Sequence, residues 1–238
     1  MHTKELVLVA GAPGAGKSVF ALNAVLAQNF PVVYFAMDSS PSVLARLTAL
    51  TLNAEISWVY DQLRDTDQKR RLLADLGDAH PNLFIQAGAI TAEGVAQRLE
   101  ALTEVLGIAP PLVVIDNLID MVVPGYTHTD MGFYSSSLNE LKQMSLKHNV
   151  CVMALHHVTR RGGESQNPHG LGTRALKMTD LLYSGEREAE HVLGVYHTVN
   201  KDKLAVQILK QRDGDADPEG GLEVQLLWHP RLGSLGRS

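Results

Sequence analysis

The stretch from residue 11 to residue 18, Gly-Ala-Pro-Gly-Ala-Gly-Lys-Ser, limits what this chain can fold into more than any other feature. A glycine, four residues and then Gly-Lys-Ser is the spacing typical of a phosphate-binding loop. An apolar run at 6–10 precedes it and predicts a buried strand, and residues 17–28 follow with apolar side chains at helical spacing. In such a unit the backbone N–H groups turn inward and surround phosphate oxygens. The sequence therefore predicts an α/β fold with a phosphate site after its first strand.

The residues of this loop have definite expected parts in binding a nucleoside triphosphate. Lys17 is expected to reach the β- and γ-phosphates, and the Ser18 hydroxyl is expected to bind Mg²⁺. The expected nucleotide contacts are Gly11, Ala12, Pro13, Gly14, Ala15, Gly16, Lys17, Ser18 and Val19. ATP and Mg²⁺ are accordingly the expected cofactors.

A site of this kind also needs a carboxylate for the metal, at the end of another buried strand. The run Leu-Val-Val-Ile-Asp at 112–116 supplies one. An unpaired buried charge is costly, so Asp116 is expected to bind the metal and not to fill the core. Ser18 and Asp116 are thus the two expected metal ligands.

The remainder of the chain alternates between apolar runs and segments with helical spacing. Further buried strands are predicted at 31–36, 82–86 and 150–155, and helical segments at 55–79, 91–106 and 131–148. Three C-terminal runs predict antiparallel strands that extend the sheet, at 191–197, 204–209 and 222–228. Alternating strands and helices imply a mostly parallel sheet with helices on both faces. Residues 1–238 are expected to form a single domain.

Composition and charge exclude several classes of protein. A formal net charge of −5 and a pI near 6.0 differ from those of a basic DNA-coating protein, so nucleic-acid contacts must come from local basic loops or from a ring that pools them. No signal peptide and no apolar run of the ~18 residues that span a membrane is present, so no membrane partner is expected. The single cysteine, Cys151, is predicted to be an inert core thiol, and a cytoplasmic setting fits.

Five segments, in order, resemble the RecA superfamily and, within it, the C-terminal ATPase domain of DnaB-type replicative helicases. They are 11–18, 34–47, 114–121, 154–185 and 209–214. The resemblance covers nearly the whole chain and implies a RecA-like P-loop core. The resemblance is to the ATPase domain alone, and we expect the family's N-terminal domain and linker helix to be lacking.

The resemblance also implies roles for individual residues. Asp38 stands where the family has a glutamate that activates the attacking water, and it is one methylene shorter. His157 stands where a glutamine or histidine senses the γ-phosphate. Lys210 and Arg212 match a stretch that reaches the neighbouring subunit's ATP site, with Arg212 as the arginine finger. Such a finger acts on another copy, so a homo-oligomeric ring, a hexamer in the family, is implied. Without that match, these two residues would be solvated side chains at a hairpin end.

Two loops are candidates for contact with DNA, because in this fold the loops after the fourth and fifth strands line the axial channel of the ring. The loop at 121–132 has no lysine or arginine. The expected DNA-binding residues are Arg160, Arg161, Arg174 and Lys177. A few such residues per subunit, multiplied around a ring, are enough to follow the backbone of single-stranded or forked DNA.

The leading interpretation is a DNA-dependent ATPase with helicase-like motor activity in replication or recombination, and two alternatives stay open. In one, carboxylates and imidazoles gather at one edge of the sheet and bind Mn²⁺ or Mg²⁺ as a nuclease. The residues concerned are Asp38, Asp116, Asp120, His156 and His157. In the other, the chain is a non-motor regulator that binds ATP without stimulation by DNA.

Overall fold

The computed structural model describes residues 2–38, 40–158, 172–181 and 187–237. Its strands are β1 (Leu6–Gly11), β2 (Val32–Ala36), β3 (Leu83–Ala87), β4 (Leu112–Asp116), β5 (Cys151–His157), β6 (His191–His197), β7 (Lys203–Lys210), β8 (Glu223–His229) and β9 (Ser234–Arg237). Within this part of the chain all nine belong to one sheet, in the order β3-β2-β4-β5-β1-β6-β7-β8-β9.

Helices cover both faces of this sheet. They are α1 (Lys17–Leu26), α2 (Ser40–Leu52), α3 (Ile56–Gln62), α4 (Thr66–Ala79), α5 (Ala92–Leu106) and α6 (Met131–His148). Side chains of α5 and α6 pack with one core cluster, and those of α1, α2 and α4 pack with the other. Consecutive residues of β1 alternate between the two clusters, as the pleat of a strand requires. The predicted α/β architecture is confirmed.

The direction of β6 differs from the prediction. It runs parallel to β1 and antiparallel to β7, and only from β6 onward are neighbouring strands antiparallel. The chain leaves β5 at one edge of the sheet and returns at Glu190, whose N–H donates to Leu6 O at the opposite edge. A strand that starts at that edge must run in the same direction as β1.

Two further features differ from the prediction, the division of one helical segment and an additional strand. The helical segment at 55–79 is divided into α3 and α4, because Asp65 caps the start of α4 by accepting from the N–H groups of Asp67 and Gln68. Strand β9 was not predicted. Its Leu235 N–H donates to Asn23 of α1 at 3.1 Å, so its position depends on a residue far away in the chain.

The sheet brings the glycine-rich loop, Asp116 and His157 to one edge. In the register of the parallel strands, Gly11 lies beside His157, and Asp116 lies beside Ala36. The carboxyl ends of these strands therefore share the edge at which open α/β sheets bind ligands.

Cys151 lies in the core, as predicted. Its side chain is buried, and burial raises the pKa of its thiol to about 12. A thiol that stays protonated in this way is a poor nucleophile, as an inert thiol should be. Among the helices that the structure describes, none is long and apolar enough to cross a membrane.

Candidate functional site

A cavity of about 520 Å³ opens at the carboxyl edge of the parallel strands. From the glycine-rich loop it is lined by Pro13, Gly14, Gly16, Lys17, Ser18 and Val19. The side chains of Ala12 and Ala15 pack in the core instead, and the backbone carbonyl of Ala12 accepts from Lys17 Nζ. The volume lies in the range of sites for small ligands and cofactors.

The backbone of the loop depends on its glycines. Gly14 and Gly16 have φ values of 76° and 93°, in the left-handed region that other residues rarely adopt. A side chain at Gly16 would also bring its Cβ within 2.7 Å of Leu204 Cδ1. Gly16 is the N-cap residue of α1 and makes no side-chain cap, so the first N–H groups of the helix lack a side-chain acceptor. An anion at this helix start is stabilised by these donors and by the helix dipole.

Lys17 is held across the loop. Its Nζ donates to Gly11 O at 2.9 Å and to Ala12 O at 3.1 Å, and it lies 3.4 Å from His157 Nδ1. Burial lowers the pKa of Lys17 to about 8, although the carboxylate of Asp116 opposes the shift. The ammonium group therefore lies where a bound phosphate can take over its hydrogen bonds.

His157 is the polar group that the fifth strand contributes to this site. Burial and the nearby Lys17 charge lower the pKa of His157 to about 4, so the imidazole is neutral at physiological pH and Nδ1 is able to accept from the lysine. His156 does not join it. Adjacent strand residues point to opposite faces, and the fully buried His156 ring packs edge-on against Tyr134 at 5.4 Å. The expected histidine pair is therefore divided between the two faces.

Asp116 is held by two hydroxyl groups. Ser18 donates to its Oδ1 at 3.1 Å, and Tyr34 donates to its Oδ2 at 2.6 Å. Burial raises the pKa of Asp116, while these hydrogen bonds and the positive charges of Lys17 and Arg46 lower it. A hydroxyl and a carboxylate oxygen at this spacing match the oxygen ligands that Mg²⁺ prefers.

The two other carboxylates differ in position. Asp38 is exposed and lines the cavity, whereas Asp120 does not line it. Burial and the negative charge of Asp38 raise the pKa of Asp120, which accepts from Asn117 Nδ2 at 3.0 Å. Across the described ranges, no group of three or more His, Cys, Asp or Glu side chains is placed to hold a metal ion. The five-residue cluster considered for a nuclease does not form there.

Sequence reasoning missed several residues of the cavity. Arg46 of α2 and Tyr60 of α3 line it, and so do His197 at the end of β6 and Trp228 of β8. The rings of His197 and Trp228 lie 5.5 Å apart at an angle of 39°. These residues are far from the glycine-rich loop in the sequence, so no local pattern predicted that they line the same cavity. Tyr34 did leave a signal, because a phenol inside a buried apolar strand needs a hydrogen-bond partner.

Lys210 and Arg212 lie at the opposite edge of the sheet from the loop. Lys210 Nζ donates to Ala189 O at 2.7 Å, and Arg212 Nη2 lies 3.0 Å from Glu190 Oε1. Glu190 in turn accepts from the N–H of Leu6, the residue at which β1 begins. Neither side chain lines the cavity of its own chain.

The structure describes two of the four predicted DNA-binding residues, Arg174 and Lys177. Arg160 and Arg161 lie outside the described residues. Arg174 Nη2 forms an ion pair with the buried Asp180 at 2.8 Å. Lys177 is exposed and pairs with a carboxylate of the turn before β8, that of Glu219.

The fold and the site together define a RecA-like P-loop ATPase domain. A family model described as an AAA domain matches residues 1–163, and the chain belongs to that family.

The chain is similar in sequence to two phage proteins. The Gene 65 protein of Mycobacterium phage L5 is 26% identical over 225 residues, which cover 91% of this chain and 80% of that protein. The Gene 65 protein of Mycobacterium phage D29 is 26% identical over 220 residues, which cover 90% of this chain and 91% of that protein.

Two solved structures share the fold over the whole chain. One is described as an ATPase domain and has a TM-score of 0.79 at 20% identity, covering 100% of this chain and 86% of its own. The other is described as a DnaB-like replicative helicase and its interactions with primase. Its TM-score is 0.78 at 20% identity, and the match covers 100% of this chain and 58% of that chain. The resemblance to the DnaB ATPase domain is confirmed at the level of the fold.

The pKa of Lys17 leads to a prediction for nucleotide binding. At about pH 9 an amine with a pKa of about 8 is largely neutral, and an approaching phosphate raises that pKa again. We expect ADP binding to take up close to one proton at about pH 9 and almost none at about pH 7. Calorimetry in buffers of different ionisation enthalpy measures this uptake.

The matched control is Lys69→Ala, which changes an exposed lysine and should leave the proton uptake unchanged. Equal uptake at the two pH values would contradict the assignment.

Proposed function

We propose that the chain is the ATP-hydrolysing subunit of a helicase-like motor that acts on single-stranded or forked DNA in replication or recombination. The observation that carries the proposal is a division of parts between the two edges of one sheet. Lys17 and Asp116 lie at one edge, and Arg212 lies at the other. If Arg212 serves an active site, that site belongs to a second copy of the chain. A homo-oligomeric ring, with six copies in the DnaB-type case, puts these two edges against each other.

The residues of the cavity fit ATP with Mg²⁺ or Mn²⁺. The loop N–H groups and Lys17 bind phosphate oxygens, and Ser18 and Asp116 hold the metal. When bound there, the ion neutralises phosphate charge and orients the γ-phosphate. Asp38, at the rim, orients the attacking water. His157 loses its contact with Lys17 when phosphate takes the ammonium, and its imidazole is then available to sense the γ-phosphate.

We assign the base of the nucleotide to the aromatic end of the cavity, where Tyr60 and Trp228 lie. Stacking of a base on an aromatic ring is sequence-tolerant and contributes about 1–3 kcal/mol. We expect ADP to quench the fluorescence of Trp228, measured in a Trp58→Phe background so that Trp228 is the only indole. Unchanged emission at saturating ADP argues against this position of the base.

The proposed DNA contacts are Arg160, Arg161, Arg174 and Lys177. The last two are paired with Asp180 and Glu219, so DNA phosphates have to compete with these carboxylates. A salt-dependent affinity follows, because each phosphate contact releases counterions.

A forked DNA with one labelled end tests the motor proposal. Purified protein is incubated with ATP and Mg²⁺, or with Mn²⁺ and no nucleotide, and each reaction is examined on native and denaturing gels. An intact displaced strand that requires ATP supports the motor. Shortened fragments formed without ATP contradict it and indicate a nuclease. ATP binding with neither displacement nor DNA-stimulated turnover indicates a regulator.

Tyr34 is expected to support the metal site from behind. Tyr34→Phe removes one of the two hydroxyl groups that orient Asp116. Loss of such a supporting hydrogen bond typically costs about 10–100-fold in metal affinity or activity. We expect the Mg²⁺ concentration for half-maximal ATPase activity to rise by roughly tenfold or more.

Tyr196→Phe is the matched control for this change. Tyr196 also donates to a carboxylate, that of Glu223 at 2.7 Å, but it does not line the cavity. Its Mg²⁺ dependence should equal that of the unchanged protein. An unaltered Mg²⁺ requirement in Tyr34→Phe contradicts the supporting role of Tyr34 at the metal site.

A further inference from the structure

Glu190 is a buried carboxylate that connects three parts of the fold. It is 6% exposed and lies immediately before β6. Its Oε2 accepts from Leu6 N at 2.8 Å, at the start of β1. Its Oε1 contacts two cations, Lys142 of α6 and Arg212 of the turn after β7. A single side chain thus ties this turn to the central strand and to a helix.

The two cations around Glu190 differ in exposure. The side chain of Lys142 is 14% exposed, whereas that of Arg212 is 59% exposed. Burial opposes ionisation of Glu190, but the N–H of Leu6 and the two cations outweigh it and lower its pKa. The carboxylate is therefore charged at neutral pH. Lys142 thus contacts this charge from the buried side, while Arg212 contacts it with more than half of its side chain exposed to solvent.

A second contact anchors the same turn. Lys210 Nζ donates to the carbonyl of Ala189, the residue just before Glu190. Two cations at the end of β7 are thus bound by two consecutive residues at the edge of the sheet. This arrangement limits the directions in which the Arg212 side chain can extend.

We propose that Glu190 is the positioning residue of Arg212. The Glu190 carboxylate binds one guanidinium nitrogen of Arg212. The other nitrogens then point in a fixed direction, toward the phosphates bound by the neighbouring copy. Preorganisation of this kind matters because misplacement of a catalytic group by about 1 Å can cost about 10²-fold in rate. The inference rests on the proposed function, in which Arg212 acts on the next subunit.

The test compares Glu190→Gln with Lys142→Met. Both variants break the buried ion pair, but only the first weakens the contact with Arg212. For Glu190→Gln we expect kcat for ATP to fall by about 10²-fold, with KM for ATP and the affinity for ADP unchanged. For Lys142→Met we expect a lower Tm and a kcat near that of the unchanged protein. Adding Glu190→Gln to Arg212→Ala should lower kcat no further.

Mixed assemblies give a readout that a merely structural role would not move. Copies with Glu190→Gln retain a complete P-loop, so added Lys17→Ala copies, which have an intact Glu190 and Arg212, should restore turnover. If Glu190→Gln fails to fold, Glu190→Asp keeps the charge, shortens its reach to Arg212 and undergoes the same measurements.

Several outcomes overturn the positioning role. They are unchanged turnover in the Glu190 variant, a loss that Lys17→Ala copies do not restore, or an equal loss of kcat in Lys142→Met. The proposed function is tested separately by Arg212→Ala. Full turnover in that variant refutes the shared site, and the positioning role falls with it. Inactive Arg212→Ala beside fully active Glu190→Gln refutes the positioning role alone.

Discussion

Lys17→Ala is expected to abolish ATP turnover, with a fall in kcat of at least about 10²-fold. The ammonium of Lys17 is the buried cation of the cavity floor, held within 3.1 Å of two loop carbonyls. Without it, the charge that develops on the transferring phosphoryl group loses a preorganised partner in a site of low dielectric. Nucleotide affinity should fall as well. Turnover is measured by release of inorganic phosphate, and affinity by calorimetry with ADP.

A matched surface lysine controls for the Lys17 experiment. Lys69 lies exposed on α4, and Lys69→Ala should hydrolyse ATP at the rate of the unchanged protein. Circular dichroism checks that Lys17→Ala is folded. Normal turnover in a folded Lys17→Ala protein would show that the cavity at the glycine-rich loop is not the site of hydrolysis.

The second large effect is expected for Arg212→Ala, which should lower kcat by about 10³–10⁵-fold, the contribution of an arginine finger. Nucleotide affinity should change little, because Arg212 lies at the far edge from the loop of its own chain. The decisive measurement mixes Arg212→Ala copies with Lys17→Ala copies. Each variant is inactive alone, but an interface that joins the loop of the first to the arginine of the second is complete. We expect turnover to return in the mixture.

Arg46 supplies the matched control for this mixing experiment. Arg46 lines the cavity of its own chain, and its positive charge opposes the rise that burial causes in the pKa of Asp116. Arg46→Ala and Lys17→Ala therefore damage the same site, and mixing them forms no complete interface. No activity should return. Recovery with Arg46→Ala, or none with Arg212→Ala, would contradict the division of the active site between copies.

Much of the central fold was predictable because buried parallel strands have a clear local pattern. The runs at 6–10 and 112–116 are almost wholly apolar, as strands covered on both faces must be. The glycine-rich loop and Asp116 follow these runs directly. Parallel strands end at the same edge, so their meeting followed from the pattern alone.

The outer part of the sheet was less predictable, since its strands depend on distant partners. The direction of β6 depends on where the chain re-enters the sheet beside Leu6. Strand β9 has four residues and is held partly by Asn23. Neither fact has a signature within the segment itself, and short-range patterns do not carry such information.

The aromatic end of the cavity illustrates the same limit. Trp228 is part of β8, whose pairing with β7 brings it to the edge where His197 ends β6. An isolated tryptophan in an apolar run is, by pattern alone, a core residue. Its part in a binding site became visible only with the strand order.

The sequence by itself determined the phosphate loop, the carboxylate opposite it and the mostly parallel sheet that joins them. These features follow from residues close together in the chain, whose spacing sets backbone conformation and strand burial. Only the tertiary structure decided that Tyr34 holds Asp116, that His156 turns away from His157, and that Glu190 holds Arg212. Such pairings depend on strand order and register, which are set by the packing of distant segments and not by any local run of residues.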